Sequence, residues 1–104
     1  MSLLLNEGEI LTHPFVIGEV ALGNLRRREA ELAILLDLPR ANIAADDEVR
    51  ELIKEYRLYG GGIGYVDAHL VAAARITPGT LIWTGDRRLA AVASRLNLAT
   101  RLPH

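Results

Sequence analysis

Leu81-Ile82-Trp83-Thr84-Gly85-Asp86-Arg87-Arg88-Leu89 reads as a strand, a turn and the opening of a helix. Leu81 to Thr84 is an apolar run between two sets of turn residues, Thr77-Pro78-Gly79 before it and Gly85-Asp86 after it. Beyond Asp86, residues Leu89, Val92 and Leu96 fall on one face of a helix from about Arg87 to Leu96. Ahead of the strand, Tyr65 to Ile76 is an alanine-rich helix. The local order is therefore helix, strand, helix.

The alternation continues towards both ends. Asp46-Asp47-Glu48 places three acids at a helix start, where they favour the macrodipole. Val49, Leu52, Ile53 and Tyr56 follow at i, i+3, i+4 and i+7, a strongly amphipathic spacing. Arg40 to Ala45 is a weaker candidate strand. Phe15 to about Leu36 is helical in period, with Phe15, Val16, Val20, Leu22, Leu25, Leu32, Leu35 and Leu36 recurring. Gly18 and Gly23 weaken the first half by about 1 kcal/mol each relative to Ala; they permit close packing or break the helix in two. His13-Pro14 has the form of an N-cap followed by proline at the first helical position. Glu9 to His13 is a candidate buried strand, Leu98 to Leu102 a last short one, and Leu3-Leu4-Leu5-Asn6 reads as the last turn of an amphipathic helix. Strands alternating with helices predict an α/β domain with a mostly parallel sheet and more helix than strand.

Composition narrows the function. A chain of 104 residues forms one domain, taken here as 1–104, and buries enough surface for a core. With 12 Lys+Arg against 13 Asp+Glu there is no basic excess to collect phosphates non-specifically. The absence of cysteine excludes disulfides, thiol nucleophiles and thiolate metal sites and fits a cytoplasmic protein. One Phe and one Trp argue against a general stacking platform for single-stranded bases. The apolar start is too short to span a bilayer and lacks the marks of a secretory signal, so no membrane association is expected.

In open parallel sheets, ligands bind beyond the carboxyl ends of the strands. Three acids fall there: Glu19 about a turn into the first long helix, Asp67 at the start of an otherwise apolar helix, and Asp86 between the quoted strand and its helix. One acid at a helix start is ordinarily a cap. Three on one edge repel one another and are tolerable with a cation, and an all-oxygen set suits Mg²⁺ or Mn²⁺. Such ions act on phosphates, which points to phosphodiester hydrolysis. Arg87, Arg88 and the run Arg26-Arg27-Arg28 are either solvated or available to an RNA backbone. Gly60-Gly61-Gly62-Ile63-Gly64 lacks the Lys-Ser/Thr of a phosphate loop and follows no strand, so it reads as a turn between helices. His13 and His69 are not a metal pair by spacing, and Trp83 reads as core.

Three stretches carry a resemblance. His13-Pro14-Phe15-Val16-Ile17-Gly18-Glu19, Gly64-Tyr65-Val66-Asp67-Ala68-His69-Leu70 and Trp83-Thr84-Gly85-Asp86-Arg87-Arg88-Leu89 resemble, in that order, the PIN-domain family, and within it the VapC-type toxins of bacterial toxin–antitoxin pairs. The resemblance runs from about Leu4 to Leu98. It implies a three-layer α/β/α sandwich and an endoribonuclease using Mg²⁺ or Mn²⁺. It also implies an RNA substrate, an antitoxin partner and a homodimer. Of the four family acids around the metal, Glu19, Asp67 and Asp86 match the second, third and fourth, and Thr84 matches a polar position that supports the last. The family's first strand, which carries the first Asp and lies at the centre of the sheet, has no counterpart here. The expectations that follow are a fold truncated of its central strand and weak or absent nuclease activity. The gap would be closed by direct pairing of the strands at Leu11–His13 and Leu81–Thr84, or by association of two chains. A non-catalytic remnant that binds antitoxin or oligomerises is the alternative. A small-molecule or phosphoacceptor domain using Asp86 alone would leave Glu19 and Asp67 without a joint role.

Overall fold

The computed structural model describes residues 2–24 and 26–101. Strand β1 (Ser2–Asn6) turns into β2 (Glu9–Leu11) through Glu7 and Gly8. Both turn residues have positive φ, +47° and +83°, as a two-residue hairpin turn matched to the strand twist requires. Helices α1 (Pro14–Leu22), α2 (Arg28–Asp37), α3 (Asp46–Glu55) and α4 (Tyr65–Ile76) follow, then β3 (Thr80–Thr84) and α5 (Arg87–Arg95). The class is α/β, as expected. Helix α4, β3 and α5 fall where the sequence places them.

The start of the chain is a correction. Leu3 to Asn6 is not a helix end but belongs to a strand, and β1 lies between β2 and β3. It pairs antiparallel with both, Leu4 standing opposite Leu11 on one side and Ile82 on the other. The strands around Leu11 and Leu81–Thr84 therefore do not pair directly with each other. Both ladders of this sheet are antiparallel, against the expectation of a mostly parallel sheet. Strands β2 and β3 share a direction, and single parallel bridges add Arg40 beside Thr12 and Ala99 beside Ile82. Only β1 among these segments runs the other way. Alternation explains the choice. Leu4 is 1% exposed while Leu3 and Leu5, on the other face, are half-buried. A strand between two others satisfies backbone groups on both its edges, and an isolated last turn of helix would not.

Two candidate strands shrink to these bridges. Arg40 to Ala45 is held by the exchange of Thr12 N–H to Pro39 O and Ala41 N–H to Thr12 O, at 2.8 and 2.9 Å. The last strand is held to Ile82 by its bonds to Leu98 and Thr100, and its expected end at Leu102 lies outside the described residues, as does Leu25. The helix predicted over Phe15–Leu36 is two. Helix α1 stops at Gly23, and Arg28 Nε returns to Ala21 O at 2.8 Å. Helix α2 folds back to pack on α1. His13 caps α1 as predicted, its Nδ1 accepting the Phe15 N–H at 3.1 Å.

The core gathers Leu4, Leu11 and Ile82 from the sheet with Val16, Val49, Leu70, Val71, Leu89 and the alanines of α4. Small side chains on α4 let it approach α1, α3 and β3 together. Trp83 is half-buried on the opposite sheet face from Ile82, so it is not a member of this central cluster. Among the described residues no helix is long and apolar enough to cross a membrane.

Candidate active site

The packing of α1 on α4 brings Glu19 and Asp67 to one cleft of about 910 Å³. Glu19 lies in the middle of α1 rather than at its start, and it is exposed. Asp67 lies in the first turn of α4 and is half-buried. Val16, Val20 and Leu70 supply apolar walls. Two polar residues that sequence reasoning did not place here, Ser2 and Glu31, also line the cleft. Glu31 reads as part of a solvated face in the sequence. It reaches the cleft because the chain reverses at Gly23, and nothing in its local pattern signals that.

Asp86 stands at the end of β3 and caps α5. Its Oδ1 accepts the backbone N–H groups of Arg88 at 2.8 Å and Leu89 at 3.1 Å. Its own N–H donates to Thr84 Oγ1 at 3.1 Å, and that buried hydroxyl bonds Ser2 Oγ at 2.8 Å. Thr84 thus shapes the turn that presents Asp86 and ties it to the central strand. Asp86 is not on the cleft wall, but its charge reaches Asp67. The Asp67 carboxyl lies above its ordinary value because it is desolvated and because Asp86 and Glu19 add negative potential; a hydrogen bond with the Gly64 backbone partly offsets this.

Two of the predicted acids, Asp86 and Glu19, therefore bear on the third, Asp67. An all-oxygen, mutually repelling set fits a hard divalent cation in kind. Among the described residues, though, no three acidic or imidazole side chains are close enough to enclose an ion as they stand. Arg87 and Arg88 are exposed in the first turn of α5. The Arg88 side chain lies over Gly62, where an added Cβ would sit 2.7 Å from Arg88 Cδ. The glycine segment is thus a turn between α3 and α4 that seats an arginine. Arg28 is engaged with Ala21 and Glu29, which joins α1 to α2.

A second cluster adjoins the cleft. His13 and His69 are distant in sequence, yet their rings lie 6.1 Å apart, and both are buried. His13 Nδ1 is the acceptor for Phe15, which leaves the proton on Nε2 without a partner. Burial, then the neighbouring His69, push the His13 imidazole down to about 4, so it is neutral at physiological pH. His69 Nε2 is 3.4 Å from Asp46 Oδ1 but poorly aligned for a hydrogen bond. Phe15 and Tyr65 pack on His69 with ring centroids at 4.4 and 4.7 Å.

The family model of the PIN domain matches residues 2–95, which hold all three acids and both surrounding helices. The chain belongs to the PIN-domain family. It is similar to Ribonuclease VapC32 of Mycobacterium tuberculosis, in both strain CDC 1551 / Oshkosh and strain ATCC 25618 / H37Rv. Each match is 38% identical over 96 residues and covers 92% of this chain and 77% of the relative. This PIN domain is therefore of the VapC type. No solved structure matches it significantly.

Proposed function

We propose that this PIN domain is a VapC-type endoribonuclease toxin that hydrolyses RNA phosphodiester bonds, with Glu19, Asp67 and Asp86 holding Mg²⁺ or Mn²⁺. The observation that carries the reading is the crowding of negative charge at Asp67 by Asp86 and Glu19, acids delivered by three separate elements. The similarity to a ribonuclease supports the substrate class. A bound divalent ion supplies a polarised phosphoryl oxygen and a water of lowered pKa. The protein's share is placement. Asp86 is fixed by two backbone donors, so its carboxylate does not have to be ordered when substrate arrives. Thr84 holds the turn beneath it. Arg87 and Arg88 are exposed beside that turn and meet backbone phosphates flanking the bond to be cut. Cleavage is weak: Glu19 and Asp86 bear on Asp67, but among the described residues the three carboxylates do not yet enclose an ion.

In this reading the protein works in the cytoplasm as a homodimer, and a small antitoxin protein restrains it. The same openness of the acid set favours one other reading, a non-catalytic domain that binds antitoxin or oligomerises. Matched cleavage assays on single-stranded RNA in Mg²⁺, Mn²⁺ and chelator, with Asp67→Asn alongside, separate the two. The enzyme reading expects slow, metal-dependent cleavage that Asp67→Asn abolishes. Cleavage that survives Asp67→Asn, or none with either ion, refutes it.

A further inference from the structure

We infer that Tyr65 is the residue on which a nucleobase beside the scissile phosphate stacks, an assignment that rests on the ribonuclease reading and adds a substrate-binding residue to it. Tyr65 opens α4 and lines the same cleft as Glu19 and Asp67. It is 47% exposed, a large apolar ring left in water beside carboxylates. Other exposed aromatics do not share this position: neither Phe15 nor Tyr59 lines the acidic cleft.

The ring is also fixed before any ligand arrives. Its hydroxyl donates to Asp46 Oδ1 at 3.1 Å. It meets the buried His69 ring edge-to-face, the planes 88° apart and the centroids at 4.7 Å. His69 is itself 1% exposed and also packs against Phe15, which restrains it. Tyr65 also borders a smaller hollow with Ile53, Leu58 and Ile63, and its exposure leaves part of the ring open to solvent. A base that stacks there orders no side chain on binding, so the entropy cost falls on the RNA alone.

Charge gives this ring its importance. The chain carries a net charge of −1, and its cleft is lined with acids. Phosphate capture by arginines is therefore limited, and a neutral contact must supply a larger share of affinity than in a basic nuclease. Single-stranded RNA offers that contact in its unpaired base faces, and stacking on an aromatic ring needs no particular base.

The test uses the full chain with Ca²⁺, to allow binding without turnover, and a short single-stranded RNA carrying the fluorescent base 2-aminopurine. Wild type is expected to quench the fluorescence on binding. Tyr65→Leu, which keeps apolar bulk without a π-face, loses the quench and roughly tenfold in affinity. Tyr65→Phe retains the quench although it loses the bond to Asp46, a result that a purely structural role for the hydroxyl does not produce. If Tyr65→Leu fails to fold, photocrosslinking of 5-iodouridine RNA to the unaltered chain decides, with a crosslink at Tyr65 expected. RNA that binds wild type and Tyr65→Leu with equal affinity and quench, or that crosslinks only elsewhere, overturns the stacking assignment and leaves the ribonuclease reading intact. RNA that binds neither protein in the presence of the ion overturns both.

Discussion

Replacing Leu4 with Ala tests the central placement of β1. The side chain is 1% exposed and stands abreast of Leu11 and Ile82, which are 8% and 2% exposed, in a row across three strands. Truncation removes three buried carbons from a position flanked by backbone on both sides, where the walls have little freedom to collapse. Leu→Ala at such sites costs about 2–5 kcal/mol, and this geometry belongs near the middle, about 3 kcal/mol. The neighbouring Leu5 serves as control. It is half-buried on the other face, opposite Ile10 and Leu81, both exposed, so Leu5→Ala costs only about 1 kcal/mol. Urea unfolding reads both, as a fall in midpoint at unchanged slope. For a domain of this size the Leu4 variant also melts roughly 12–24 °C lower. Equal losses for the two variants, or a loss under about 1 kcal/mol for Leu4→Ala, would refute the alternating central strand.

Three further outcomes follow from the local geometry. The folded protein holds His13 neutral down to about 4, against an ordinary value of 6.5, so its contribution to stability is complete above pH 6.5 and is lost as pH falls towards 4. The loss approaches roughly 3 kcal/mol; denaturant titrations across that window should show it, and His13→Asn, which keeps an acceptor for the Phe15 N–H, should flatten it. Gly62→Ala should cost more than Gly60→Ala in thermal unfolding. Both glycines have φ of +79°, a strain of about 1–2 kcal/mol for Ala, but only at Gly62 does the new Cβ meet Arg88. The excess should vanish in an Arg88→Ala background. Asp86→Ala should destabilise by about 1 kcal/mol through loss of the α5 cap while Asp86→Asn preserves stability. Both should lower Mn²⁺ affinity in electron paramagnetic resonance titrations, and unchanged affinity in Asp86→Asn would remove Asp86 from the ligand set.

The elements whose signals are local were legible in the sequence. Tyr65–Ile76 and Arg87–Arg95 are bounded by their own caps and turn residues, and His13-Pro14 starts α1 by the same chemistry. Chain order offered Glu19, Asp67 and Asp86 as candidates, and the fold brings Glu19 and Asp67 to one cleft with Asp86 near enough to act on Asp67. Leu3 to Asn6 could not be read. Its few apolar residues satisfy a helical face or one side of a strand equally well, and the decision rests on pairing with β2 across the hairpin and with the edge of β3, which lies far along the chain. Glu31 in the cleft and Tyr65 braced on His69 are hidden for the same reason. Each depends on contacts across a chain reversal or between helices, which no local periodicity encodes.

By itself, then, the sequence determined the α/β class and the positions of α4, β3 and α5, because spacing, capping and turn chemistry act over a few residues. The tertiary structure decided what fills the middle of the sheet. It also decided which neighbours press on Asp67 and how the two buried histidines and their aromatic rim come together. Pairing of backbone edges and burial of side chains are settled only when distant segments meet.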